Sequence, residues 1–340
     1  MNIYEIAKIV GYSPSVVARA LSGKGYCSEE KKKKVIDIAT EMGYRPSIAA
    51  KTMRNNFTYR VLMCIPDLYN SFYFRMIDGV SRGLAKHNYY TMLFHTQSST
   101  DKEVDAVELL EQKYCDGIVM VSFDFCEKNI SAVIASNKPV VLTNYYDKIL
   151  PNSNYDCVYV DHTEALRMLT QHIITVGGRN ILYIGGDVKT QTAKERRKGY
   201  EKALQENNRD IDTRLMADGK FTQEGGYIQA KKALESGLQI DSIITANDLM
   251  CIGVLKYLYE KDIVVGKDIM LASVDNSDFV QNTHPTITAI DLCQDEIGLK
   301  ASSLLMDRIL NKRTTSKVVK ILPKLIIRNS TSKAQGNSFM

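Results

Sequence analysis

The chain has 340 residues, is 44% hydrophobic, and carries a net charge of +5 with seven cysteines. That length allows two or three packed domains beside a small one. The cysteines stand singly, with no CxxC pair and no His cluster at ligand spacing, so neither a zinc nor a disulfide framework is suggested; no metal or cofactor is expected. Residues 1–58 hold ten Lys/Arg against five Asp/Glu, whereas the rest hold 34 of each. The whole positive excess therefore lies on the N-terminal segment, where a polyanion such as nucleic acid would meet it. The start is polar, with no signal-peptide pattern, and no apolar run approaches the ~18 residues of a membrane span, so a cytoplasmic protein with no membrane partner is expected.

Asn2 with Glu5 three residues on is a capping-box signature, and Ile3, Ile6, Ala7 and Val10 recur at helical spacing behind it. Gly11 supplies a turn. Ser13 is placed to cap a second helix with Pro14 in its first turn, Val17, Ala20 and Leu21 facing inward, and Ser15, Val16 and Arg19 facing outward. Gly23 and Gly25 end it. Ser28 opens a third helix whose Val35, Ile36, Ile38, Ala39 and Met42 are expected to pack inward. Two helices joined by a Gly turn and braced by a third form the geometry that lays a recognition helix in the major groove. Next, Arg45-Pro46 sets an extended segment, and Ser47 can cap a short helix through Met53. A helix of under two turns is not stable alone, so it forms only where DNA and a partner chain support it.

From Arg60 the pattern alternates. RVLMCIPD, YYTMLFH, DGIVMVS and PVVLTN read as buried parallel strands, separated by helices over 72–88, 101–114 and 127–137. A second series follows: a helix over 163–176, strand NILYIGG, helices over 193–207 and 223–236, strand DSIITA, a helix over 248–261, and strand DIMLASVD. Twice-repeated βαβ order predicts an α/β fold with two doubly wound parallel sheets in tandem. The last helix, over 294–311, and the strands KVVKILP and KLIIRNS are expected to cross back and complete both. The boundaries expected are 1–45 for the helical head, 46–59 for hinge and linker, 60–161 plus 292–322 and 162–291 plus 323–331 for two lobes, and 332–340 for a disordered tail. Ligands of open α/β sheets bind beyond the carboxyl ends of the strands. Asn70 and Phe72, Phe221, Asn247 and Asp248, and Asp275 all fall at such positions. Asn247 and Asp248 read equally well as helix caps, Arg196 as part of a solvated basic run, and Phe72 and Tyr73 as core.

The runs IYEIAKIVGYSPSVVARALSG and YRPSIAAKTM resemble the DNA-binding head and hinge of the LacI/GalR family of bacterial repressors. The segments IPDLYNSFY, CDGIVMV, RRKGYEKAL, TANDLMCIGVLKYL, MLASVDN, HPTITAID and LIIRNST resemble that family's effector-binding core, so the resemblance spans almost the whole chain. It implies a helix-turn-helix head joined to a two-lobed core like that of the periplasmic sugar-binding proteins. It further implies that Arg196 and Asp275 hold hydroxyls of a small molecule, with Asn247 beside them and Phe221 stacking on its face. Ser13, Pro14, Ser15, Val16, Arg19 and Ser28 on the head, with Lys51 and Met53 in the hinge, are the expected DNA-contacting residues. Met53 falls where relatives wedge an apolar side chain between base pairs. The sequence departs from the family where Val16 and Ala18 replace hydroxyl residues that anchor phosphates.

The function expected is a homodimeric repressor of carbohydrate genes that reads a near-palindromic operator and responds to a small-molecule effector, a sugar above others. A purine or phosphosugar effector, or a sugar-binding module with weakened DNA binding, is the alternative. An enzyme is disfavoured, because Gly185-Gly186 stands without GxGxxG or GxxxxGK[ST].

Overall fold

The computed structural model describes residues 2–23, 25–44, 56–122, 125–145 and 153–332. It divides into two compact units, Met1–Thr58 and Tyr59–Met340.

The first unit holds helices α1 (Ile3–Val10), α2 (Pro14–Ser22) and α3 (Glu29–Glu41). The capping box forms: the Asn2 side-chain oxygen accepts from the amides of Tyr4 (2.9 Å) and Glu5 (3.1 Å), and Glu5 accepts the Asn2 amide (3.1 Å). Gly11 and Gly23 close α1 and α2 with φ of 76° and 67°, a left-handed conformation that glycine adopts without steric cost. Ile6, Ala7, Val10, Val17, Ala20, Val35 and Ala39 form the core where the three helices meet. Ile36 departs from expectation: it is 41% exposed, because Val35 and Ala39, four apart, define the seam and Ile36 lies about 100° round the helix from it. Ser13 and Ser28 occupy N-cap positions without side-chain capping bonds. The Ser13 hydroxyl pairs instead with that of Ser15, at 3.0 Å. Residues 46–55 of the expected hinge and linker, including Lys51 and Met53, lie outside the described residues, as does 333–340 of the expected tail.

The second unit carries two six-stranded sheets. The first has strands β1 (Arg60–Ile65), β2 (Tyr90–His95), β3 (Gly117–Met120), β4 (Val140–Leu142), β5 (Tyr155–Val160) and β11 (Val318–Ile321), in the order β11-β5-β4-β3-β1-β2 and parallel throughout. The second has β6 (Ile181–Gly185), β7 (Met216–Asp218), β8 (Ser242–Thr245), β9 (Met270–Val274), β10 (Thr288–Asp291) and β12 (Lys324–Ile326), in the order β12-β10-β9-β8-β6-β7. Only β12 runs antiparallel, against β10. Strands β5, β7 and β10 were not expected. Asp156 interrupts the apolar run of β5, β7 is a half-buried three-residue edge, and β10 mixes Thr and Asp with two apolar residues.

Helices α4 (Phe72–Ala85), α5 (Thr100–Glu111) and α6 (Glu127–Ser136) belong to the first lobe. The second lobe has α7 (His162–Thr175), α8 (Gln191–Glu206), α9 (Gln223–Glu235), α10 (Asp248–Glu260) and the short α11 (Asp278–Gln281). The last helix, α12 (Gln294–Asn311), returns to the first lobe and packs along α4. Their backbones approach closely through Gly79, Gly83 and Gly298; a Cβ on Gly298 would collide with the Met76 carbonyl. The chain thus crosses between lobes after β5, after β10 and between β11 and β12. The last return is stapled by Asp156, fully buried, which accepts two 2.8 Å bonds from Arg308, a 2.5 Å bond from Arg313 and the Lys317 amide at 2.7 Å. Among the described residues no helix is long and apolar enough to cross a membrane.

Candidate functional site

Parallel strands deliver their helices with N-termini on one edge of each sheet. In this chain the starts of α4, α8, α9 and α10 meet where the two lobes face each other. Asn70, Phe72, Tyr73, Thr192, Arg196, Phe221, Asn247 and Asp275 line a single cavity there, of about 40 Å³. All six residues expected at an effector site are among them. The cavity has room for only a few water molecules, so a ligand of sugar or purine size requires a wider cleft than this one.

Each lining residue has a local reason for its place. Asn70 accepts the Phe72 amide at 3.0 Å and so shapes the turn into α4. Tyr73 is 1% exposed and meets Phe72 edge-on at 5.1 Å, so it is core and cavity wall at once. Asn247 caps α10 by accepting the Met250 amide (2.9 Å), and its amide nitrogen donates to the Phe221 carbonyl (3.0 Å). The cap reading of Asn247 therefore holds, and the same side chain fastens the aromatic. Phe221 follows Lys220 with φ of 59° and 53°, a left-handed pair that bulky residues rarely adopt. Its ring lies 5.6 Å from the Arg196 guanidinium.

Arg196 is 4% exposed, unlike its neighbours Lys194 and Lys198, which are exposed on α8. It donates to the Ala246 carbonyl, while its Nε has no partner. Its Nη2 stands 3.6 Å from Asp275 Oδ1, too far for a hydrogen bond, and that oxygen is likewise unpaired. Burial pushes the Asp275 carboxyl up to about 8 despite the adjacent guanidinium. Asp275 also sits at φ 106° and its neighbour Asn276 at 57°. Asp248, the first residue of α10, accepts from Ser273 Oγ and the Ser277 amide, both at 2.6 Å, and burial raises it to about 6. It braces the loop that carries Asp275.

Two residues were missed. Thr192 lies in the first turn of α8, a placement visible in the sequence once Thr190 is taken as the cap. Gln294 opens α12 and donates from Nε2 to the Asp275 carbonyl (2.8 Å), a contact between lobes that no local pattern announces. The arrangement offers a donor, an acceptor and a flat apolar ring, which suits a small polar ligand with one apolar face.

On the head, α2 turns Val17 and Ala20 inward. Pro14, Ser15 and Arg19 are exposed, and Val16 is half-buried. Arg19 Nε donates to the Ser15 carbonyl at 3.3 Å, a weak bond that leaves the two terminal guanidinium nitrogens for an external acceptor. Lys31 and Lys34 of α3 stand 5.7 and 5.6 Å from the centre of the Tyr12 ring.

Residues 2–47 match the family described as bacterial regulatory proteins, lacI family. Residues 58–329 match the periplasmic binding proteins and sugar binding domain of LacI family. Over 330 residues the chain is 26% identical to the HTH-type transcriptional repressor PurR of Histophilus somni (strain 2336), covering 97% of this chain and 98% of that protein. Over 331 residues it is 28% identical to the NTD biosynthesis operon regulator NtdR of Bacillus subtilis (strain 168), covering 97% and 99%. Its fold superposes on the lac repressor dimer bound to operator and the anti-inducer ONPF with a TM-score of 0.87, at 18% identity, over 98% of this chain and 99% of that one. With both parts of the chain matched, it belongs to the LacI family: a DNA-binding transcriptional regulator, not an enzyme, with a helix-turn-helix head and an effector-binding core.

Proposed function

We propose that this regulator is a homodimeric, cytoplasmic repressor of carbohydrate genes whose effector is a small neutral sugar held between the lobes. The observation that carries the reading is the convergence on one cavity of Arg196 and Asp275, each with an unpaired polar atom, beside the Phe221 ring. A sugar hydroxyl can accept from Arg196 and donate to Asp275, and the C–H face of the ring can lie on Phe221. The lobes are taken as residues 60–161 plus 292–322 and 162–291 plus 323–331. Two heads would read half-sites in successive major grooves, with Pro14, Ser15 and Arg19 at base edges and Ser13, Val16 and Ser28 near the backbone. Lys51 and the Met53 wedge would act at the operator centre. Effector binding would select one angle between the lobes, shift the dimer interface, and change the support for the hinge.

A purine is the second reading, supported by three aromatic side chains on the cavity wall, Phe72, Tyr73 and Phe221, and by the likeness to repressors named PurR. Thermal-shift measurements against monosaccharides, disaccharides, sugar phosphates and purines separate the two. A ligand at about 100 times its Kd adds roughly 2.7 kcal/mol of stability. The expected result is a shift by sugars that disappears in Asp275→Ala. A shift by purines alone would replace the sugar assignment, and a shift retained by Asp275→Ala would remove the ligand from this cleft.

A further inference from the structure

Gln294 is 2% exposed and sits at the first position of α12, directly after a left-handed Cys293. Its Nε2 donates to the Asp275 carbonyl at 2.8 Å, which fixes the orientation of the amide. Its Oε1 has no partner. Amide geometry keeps that oxygen within about 5 Å of the Asp275 backbone. A buried acceptor without a donor costs stability unless something fills the role. Three unpaired polar atoms therefore gather around Asp275: the Arg196 Nε donor, the Asp275 Oδ1, and the Gln294 Oε1 acceptor. The first two belong to the second lobe. Gln294 belongs to a helix that packs in the first.

We propose that Gln294 is a specificity-determining residue of the effector site, its Oε1 accepting a hydrogen bond from an effector hydroxyl or N–H while its Nε2 holds the Asp275 backbone. This rests on the reading of the cleft as the effector site. It adds a polar anchor from the opposite lobe, so that the bound effector is held from both sides. The anchor is mechanically useful because α12 and α4 are locked together at Gly79, Gly83 and Gly298, where any side chain would meet the other helix. Phe72 and Tyr73 begin α4, and Gln294 begins α12, so all three move as one jaw. An effector lacking the matching donor would keep the first-lobe wall of Asn70, Phe72 and Tyr73 but lose the Gln294 anchor, and would draw that jaw in less strongly.

The test compares ligand pairs differing by one polar group: D-glucose, D-galactose and D-ribose with their monodeoxy analogues, and hypoxanthine with purine. Affinities are measured by calorimetry on wild type, Gln294→Met and Asp275→Asn. Wild type should bind one parent about tenfold more tightly than one of its analogues, and Gln294→Met should bind those two equally. Such a ratio is taken on one protein sample, so partial loss of folded Gln294→Met protein does not move it. If Gln294→Met keeps every wild-type ratio, the proposal is wrong even where Asp275→Asn abolishes binding. If Gln294→Met loses one ratio while Asp275→Asn binds normally, Gln294 stands and the role of the carboxylate falls. Wild type that binds no member overturns the effector class and the Gln294 assignment together.

Discussion

Replacing Asp275 by Asn should stabilise the unliganded protein, and by an amount that grows with pH. Burial raises the Asp275 carboxyl from 3.8 to about 8, outweighing Arg196 at 3.6 Å. In the unfolded chain the same group ionises near its ordinary value of about 3.9. Between those limits the folded protein keeps a proton that the unfolded chain has released, so stability falls as pH rises through the window. The full linkage reaches about 5 kcal/mol by pH 8. Relaxation and water entry, which give buried sites an effective dielectric near 20, leave an expected effect of about 2 kcal/mol. Asparagine preserves the shape and cannot ionise. The stability gained by Asp275→Asn should therefore be about 1.4 kcal/mol larger at pH 8 than at pH 5, since part of the effect is already present at pH 5, and this is roughly 3 °C in Tm for a unit of this size. Thermal unfolding followed by circular dichroism at several pH values measures it. A gain that does not vary with pH, or a loss at pH 8, would mean that Asp275 is ionised and paired with Arg196 before any ligand arrives. The expected exchange of stability for binding is what a site built for a ligand shows.

Two further outcomes follow from the geometry. Asp156→Ala leaves Arg308 and Arg313, 3% and 12% exposed, without their carboxylate, and should cost about 3–5 kcal/mol in urea unfolding. Burial pushes the Asp156 carboxyl up, but the hydrogen bonds of Arg308 and Arg313 together hold it below its usual value. Its contribution is thus present above the unfolded value of about 3.9 and is lost as pH falls below it; an unchanged urea midpoint would show the staple to be idle. Arg19→Ala should lose about 1–3 kcal/mol of discrimination at one base pair of each half-site, read by selection from random duplexes. Unaltered preference there would take Arg19 out of base recognition.

The head was readable almost residue by residue, because helix caps, Gly turns and apolar periodicity are local. Ile36 shows the limit: hydrophobicity placed it inside, and the seam chosen by Val35 and Ala39 left it out. In the core, strands rich in Val, Ile and Leu declared themselves. Strand β5 did not, because Asp156 in its middle is tolerable only beside arginines that arrive some 150 residues later.

What the sequence alone determined was the order of elements and the residue types at strand ends, since both follow from short-range spacing and the βαβ rule. It placed Asn70, Phe72, Arg196, Phe221, Asn247 and Asp275 each at the mouth of a lobe. Only the tertiary structure decided that these six share one wall, that Asn247 spends its side chain on a cap and on Phe221, and that Arg196 is buried rather than solvated. It alone brought Gln294 to Asp275. Hydrogen-bond capacity left over in a buried place depends on every neighbour at once, and those neighbours come from crossings of the chain that no local pattern encodes.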